Sequence, residues 1–130
     1  MARAILLELN EINLRFVQSY VRQGKLRNFK ALLEAHGVQE TESEASYENW
    51  EPWIQWVTAH TGLSLSEHGV YRLGDIVGSE IDQIWEKLER AGIRVGAFCP
   101  MNASNKLTSP AFFLPDPWTK TTSAGPRIAQ

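Results

Sequence analysis

Residues 91–105 read AGIRVGAFCPMNASN, and the fold turns on how this stretch is taken. The run IRVGAFC is short, apolar and bounded by Gly92 and Pro100, which is the pattern of a buried strand. Immediately upstream, Ile81, Ile84, Trp85, Leu88 and Ala91 recur at helical spacing, and Ser79 with Asp82 has the three-residue separation of a capping box, so a helix feeds the strand. Working outward, AILLEL at 4–9 is another nearly continuous apolar run, as expected of a strand covered on both faces. Ile12, Phe16, Val17, Tyr20 and Val21 then predict a helix stopped at Gly24, and Leu26, Phe29, Leu32 and Leu33 a second one that ends at His36-Gly37. The polar stretch VQETESEAS, from Val38, has enough alternation for a strand. Downstream, AFFL at 111–114 is the remaining strand candidate in a segment rich in Pro, Ser, Thr and Asn.

Strands alternating with helices build a parallel sheet covered on both faces. The expected fold class is therefore α/β, as a three-layer α/β/α arrangement with a mostly parallel sheet. A single α/β domain over 1–120 is expected, with 121–130 as a loose, flexible tail.

The chain has 130 residues, enough for one real core. Its 13 Lys plus Arg against 15 Asp plus Glu give a net charge of −2 with no run of like charge, so neither nucleic acid nor a membrane is expected as partner. The lone Cys99 cannot form an internal disulfide and, after an apolar run, is expected to be buried. No cleavable leader is legible in MARAILLELNEIN, because Glu8 interrupts the apolar run, so a cytoplasmic location is expected.

Three of the five tryptophans and two of the three histidines fall in YENWEPWIQWVTAHTGLSLSEHGV, residues 47–70. On a helix over 50–61, Trp50, Trp53, Ile54, Val57 and Thr61 share one face, with Trp56 and His60 along its edge. The tryptophans are thus chiefly a core stripe.

Thr61-Gly62, five intervening residues and His68-Gly69 resemble the segment after the nucleophile in the alkaline phosphatase superfamily, in its phosphodiesterase and nucleotide pyrophosphatase branch. AILLELNEI resembles that family's first strand, GKLRNFKALLEAHG its following helix, and AGIRVGAFCPMNASN a later strand with its proline. The resemblance covers roughly residues 4–105, as an N-terminal portion of the family's fold. It implies a site at the carboxyl ends of the strands, where metal ions, commonly zinc, bind a phosphate or sulfate ester and a residue at the start of a helix attacks it. A helix N-terminus attracts an anion, and metals activate the nucleophile.

Carried over residue by residue, the resemblance puts the first metal-binding position on Asn10, flanked by Glu8 and Glu11, so Glu8 and Asn10 are the candidate metal ligands. The nucleophile position falls on Pro52, and a register shift is needed to bring Asn49 into its place. Asn49 is the catalytic candidate on that basis, with Glu51 and His68 as substrate-binding candidates. As residue types in this pattern, Asn10 and Glu11 suit a turn and a helix cap better than a ligand role, and His68 is more often a loop histidine holding a backbone carbonyl than a ligand. Asp116 and Trp118 in LPDPW suggest a proline-shaped turn with an aromatic anchor. The family's remaining ligands, an Asp-His pair and an Asp with a His four residues on, have no counterpart in the sequence. Two function classes follow. One is the N-terminal part of a metal-dependent phosphoester or sulfate ester hydrolase, inactive as this chain alone. The other is a non-catalytic ligand-binding or subunit-association module of the same fold. A small ester as ligand and a homo-oligomeric state are the expected partners, and the first strand's end is expected to face the start of the tryptophan helix.

Overall fold

The computed structural model describes residues 4–125. They divide into two compact units, one running through Glu42 and one from Ser43 onward.

The first unit is a helical hairpin. α1 (Leu14–Arg22) begins where the Asn13 side chain accepts the Phe16 amide at 3.3 Å, the ordinary role of an N-cap asparagine. Gly24, at φ +76°, ends it in the left-handed conformation that glycine adopts without steric cost. α2 (Arg27–His36) ends on Gly37, whose amide donates to the Leu33 carbonyl at 2.9 Å. Both helices match the expected stripes. AILLEL does not form the expected strand: Ile5 is 94% exposed, and Leu6 and Leu7 are also open. A strand is stable only with a ladder partner, and the hairpin supplies none; Val17 is the unit's only buried residue among those described. The alternating stretch from Val38 is likewise irregular chain.

The second unit carries the core. A single 3-10 turn, Tyr47–Asn49, leads to α3 (Pro52–Thr61), where Pro52 occupies the first helical position, at which a missing N–H costs nothing. α4 (Leu65–His68) is one turn closed by a reciprocal Ser64 and Glu67 capping box. α5 (Ile84–Arg90) begins later than the Ser79 and Asp82 pattern suggests. Its N-terminal bond runs instead from the Gln83 amide to the Glu86 carboxylate, at 2.9 Å. β1 (Gly96–Phe98) pairs in parallel with β2 (Phe112–Leu114), with Ala97 opposite Phe113. Helices with a small parallel sheet make the fold α/β. Parallel pairs need a long crossover, and here residues 99–111 make it as a loop with no helix.

Two apolar clusters form the interior: Val57, Val70 and Ile76, and Trp85, Ala103 and Phe113. The α3 face differs from the expected stripe by a rotation. Ile54, Val57, His60 and Thr61 are the buried residues, whereas Trp50 is half exposed. His60 is drawn inward by stacking on Trp56 and by an edge contact with Trp85 at 4.9 Å. Outside α3, IRVGAFC is strand only at 96–98, and its side chains are not buried: Phe98 is 74% exposed. Cys99 is exposed as well, because its backbone turns at φ +52° directly after β1. Of the expected tail, residues 126–130 lie outside the described residues, while Ala124 forms an antiparallel bridge to Phe113. No helix among the described residues is long and apolar enough to cross a membrane.

Candidate functional site

The densest gathering of polar side chains lies inside the second unit, on the loop that follows β1. Asn102 is fully buried in a left-handed conformation, φ +49°, one that Asn tolerates better than most residues. Its Oδ1 accepts the Gly74 amide at 2.8 Å, and its Nδ2 donates to the Trp53 carbonyl at 2.8 Å. Its own amide donates to Asp116 Oδ2 at 2.9 Å. Gln83, with no exposed surface, accepts the Ser104 amide at 2.7 Å through Oε1 and donates through Nε2 to the Asn102 carbonyl at 3.3 Å. Asp116 Oδ1 also takes the amides of Trp118 and Thr119. The LPDPW turn is therefore organised by its buried carboxylate, while Trp118 is 66% exposed and anchors nothing.

This network is closed on itself. Among the described residues no buried side-chain nitrogen or oxygen lacks a partner. A catalytic group must present an atom to a ligand, and these atoms are all committed to loops 72–74, 102–104 and 116–119 and to α3. The network's work is to hold a helix-free crossover in place.

The residues singled out from the sequence are scattered over both units. Glu8 and Asn10 belong to the first; Glu8 is half-buried, and Asn10 is exposed in the turn before α1, whose cap is Asn13 and not Asn10 or Glu11. An open groove of about 520 Å³ in that unit is lined by Asn13, Arg15, Gln18, Glu40 and Thr41 among others, and by neither Glu8 nor Asn10. Asn49, Glu51 and His68 belong to the second unit. Asn49 ends the 3-10 turn and gives its carbonyl to Gln55 Nε2 at 2.7 Å. Glu51 precedes Pro52, is exposed, and makes no side-chain cap bond.

His68 is buried at the other end of α3. Its Nδ1 accepts the Val70 amide at 3.0 Å, which places the ring proton on Nε2, and Nε2 bonds Thr58 Oγ1 at 3.0 Å. With that tautomer the ring cannot take the Thr58 proton, so the pair is a staple between α3 and α4 and not an activated nucleophile. Burial holds the His68 ring below its ordinary pKa, against the opposing pull of Glu44 and Glu67. Thr58 stands six residues past Pro52, or about 9 Å along the helix, so His68 and the start of α3 do not form one site.

Three surface carboxylates sit below their ordinary range for local reasons. Glu67 is held by bonds from the Ser64 side chain and amide. Asp82 is held by Lys106 and Arg90, and Glu89 by the amides of Thr108 and Ser109. Each ties a loop to a helix end. Among the described residues no group of three or more His, Cys, Asp or Glu is arranged to hold a metal ion, so the donor set that zinc requires is not assembled there around Glu8 and Asn10. Nothing in the residue pattern singles out Gln83 or Asn102 beforehand; the available signal was a run of small polar residues, NASN, directly after a strand.

The fold and its polar interior define a small α/β protein with a self-satisfied core and an open sheet. No protein-family model matches the sequence, no curated protein matches it, and no solved structure matches it.

Proposed function

We propose that this chain is an N-terminal part of a three-layer α/β/α protein of the phosphoester and sulfate ester hydrolase kind, non-catalytic by itself, whose work is subunit association. The observation that carries the reading is the open sheet. Phe98, Phe112 and Leu114 stand on one face of β1 and β2 at 74%, 41% and 45% exposure. Parallel sheets are almost always covered on both faces, and a contiguous apolar face of this kind is a surface for association. In the isolated chain the simplest cover is a second copy, giving a homodimer or larger assembly. An exposed single thiol, Cys99, suits the reducing cytoplasm.

The non-catalytic part of the reading is supported by three features. Pro52 stands where the resemblance puts the nucleophile, His68 is committed to Thr58 and Val70, and the buried polar atoms bond one another. Binding of a small phosphate or sulfate ester, with zinc as the metal, belongs to a longer parent that supplies further ligands.

Light scattering at high protein concentration tests the association. The wild-type chain is expected to exceed the monomer mass, and Phe98→Ser with Leu114→Ser to return it to the monomer; a monodisperse wild-type monomer would overturn the proposal. Assays with aryl phosphate, phosphodiester and sulfate ester, with and without zinc, are expected to give no turnover. Turnover that survives purification to homogeneity and is lost on Asn49→Ala would overturn the non-catalytic part alone.

A further inference from the structure

The near-balance of charge over the whole chain conceals a block. Between Glu11 and Glu34 the sequence holds Arg15, Arg22, Lys25, Arg27 and Lys30 and no acid, a local charge of +5 against −2 for the whole, so the rest of the chain carries −7. This block covers α1 and most of α2; with Glu34, which also lies in α2, the hairpin carries +4. Of its five cations Lys30 alone meets a described carboxylate, Glu34 at 3.7 Å, and both partners are exposed.

The block is also apolar where it is open. On α1, Arg15 and Arg22 lie seven residues apart and share one stripe, and Phe16 and Tyr20 lie four apart on another, about 130° further round the helix. Val17, next to the aromatic stripe and away from the arginines, is buried. Phe16 is 67% exposed, Tyr20 47%, and Leu26 in the connecting turn 42%. The Lys25 ammonium sits over the Tyr20 ring, 5.2 Å from its centre, so cation and aromatic face are already joined. A helix with arginines on its polar face and exposed aromatic side chains on another has the composition of one that lies in a membrane interface.

We infer that the α1–α2 hairpin is a docking surface for an anionic lipid bilayer. The cations meet the lipid headgroups, and Phe16, Tyr20 and Leu26 enter the boundary of the acyl region. Two kinds of attraction are needed, because charge alone is screened by salt and a few apolar side chains alone bind weakly. Nucleic acid is the less suitable partner, since the phosphate backbone uses the cations and leaves the aliphatic and aromatic exposure unexplained. The inference rests on the first unit only and stands apart from the association proposed for the sheet of the second.

The test is flotation of the full chain with vesicles of neutral phosphatidylcholine, and with vesicles in which about 30 mol % is phosphatidylserine, a content that makes a strongly negative surface. Binding is expected to the anionic vesicles, not to the neutral ones, and to fall in about 0.5 M salt. Arg15→Gln with Arg22→Gln is expected to weaken partitioning about 25-fold, roughly fivefold for each cation. Phe16→Ser with Tyr20→Ser is expected to weaken it as well, while leaving retention on a duplex DNA column unchanged. All four side chains are exposed, and circular dichroism checks that α1 persists. Equal binding to both vesicle types, binding insensitive to both double variants, or capture by duplex DNA with no vesicle binding would each overturn the inference. A change of oligomeric mass in the arginine variant, without vesicle binding by the wild type, would assign the surface to a second copy and overturn it too.

Discussion

Gln83 is the position at which the closed polar network can be tested most sharply. It has no exposed surface, and its side chain satisfies the Ser104 amide at 2.7 Å and the Asn102 carbonyl at 3.3 Å. Gln83→Leu keeps the volume and orphans both partners. Each unsatisfied buried group costs about 1–3 kcal/mol, so a loss of about 3 kcal/mol is expected. With a urea dependence of about 1.5 kcal/mol per molar, the midpoint should fall by about 2 M, followed by tryptophan fluorescence, since Trp85 bonds the same loop at the Ser104 carbonyl. Gln83→Glu separates hydrogen bonding from packing. The new carboxylate can still accept from Ser104, but it is buried facing the Asn102 carbonyl and close to the carboxylate of Glu86, which accepts the residue's own amide. Its folded pKa is raised above the ordinary value of about 4.3, so stability is retained below that value and lost as pH rises through the folded pKa, by about 1.4 kcal/mol per pH unit. The leucine variant has no such slope. A Gln83→Leu cost below about 1 kcal/mol, or identical pH profiles for the two variants between pH 5 and 8, would refute the claim that these bonds hold the crossover.

Three further outcomes are expected. Because burial lowers the His68 pKa, its contribution is full above the ordinary histidine value of about 6.5 and is lost as pH falls through the folded pKa. His68→Gln should remove that part of the acid slope, as read from urea midpoints between about pH 7 and 5, above the range where carboxylates titrate. A Cβ at Gly96 would lie 2.5 Å from the Phe112 ring, which covers the glycine across the strand pair. Gly96→Ala should therefore cost about 1–2 kcal/mol alone and nothing, or slightly less than nothing, when Phe112→Ala is also present, a coupling that a double-mutant cycle measures. Finally, the exposed Cys99 thiol should react with a disulfide reagent in the native protein at close to the rate of the urea-unfolded chain.

The helices were the legible part of the fold, because an amphipathic period and a stop glycine are local signals. α1, α2 and α3 fall where Val17, Phe29 and Val57 recur, and Gly24, Gly37 and Gly62 end them at positive φ. The strands were legible as apolar runs but not as paired elements. AILLEL and IRVGAF look alike in sequence, yet only Gly96–Phe98 has a ladder, since AFFL lies within reach of it and the hairpin of the first unit has no strand to offer. The boundary of α5 was misplaced for a related reason. Asp82 is occupied by Lys106 and Arg90, so the capping passes to Gln83 and Glu86, and that choice depends in part on Lys106, a residue distant in the chain.

The candidate site was less legible because the decisive atoms are backbone atoms. His68 reads as a ligand until the Val70 amide is seen on Nδ1, and that single bond sets the tautomer and with it what the ring can do. Asn102 reads as a surface loop residue until its three bonding partners, contributed by α3, the 72–74 turn and Asp116, are in place. The cationic block between Glu11 and Glu34 shows the opposite case: it lies in the residue order, but its cations are too widely spaced to read as a run of like charge. Charge acts over about a Debye length, and the relevant count is therefore a local one: the α1–α2 hairpin, Glu34 included, carries +4, and its Lys25 stands over the exposed Tyr20 ring.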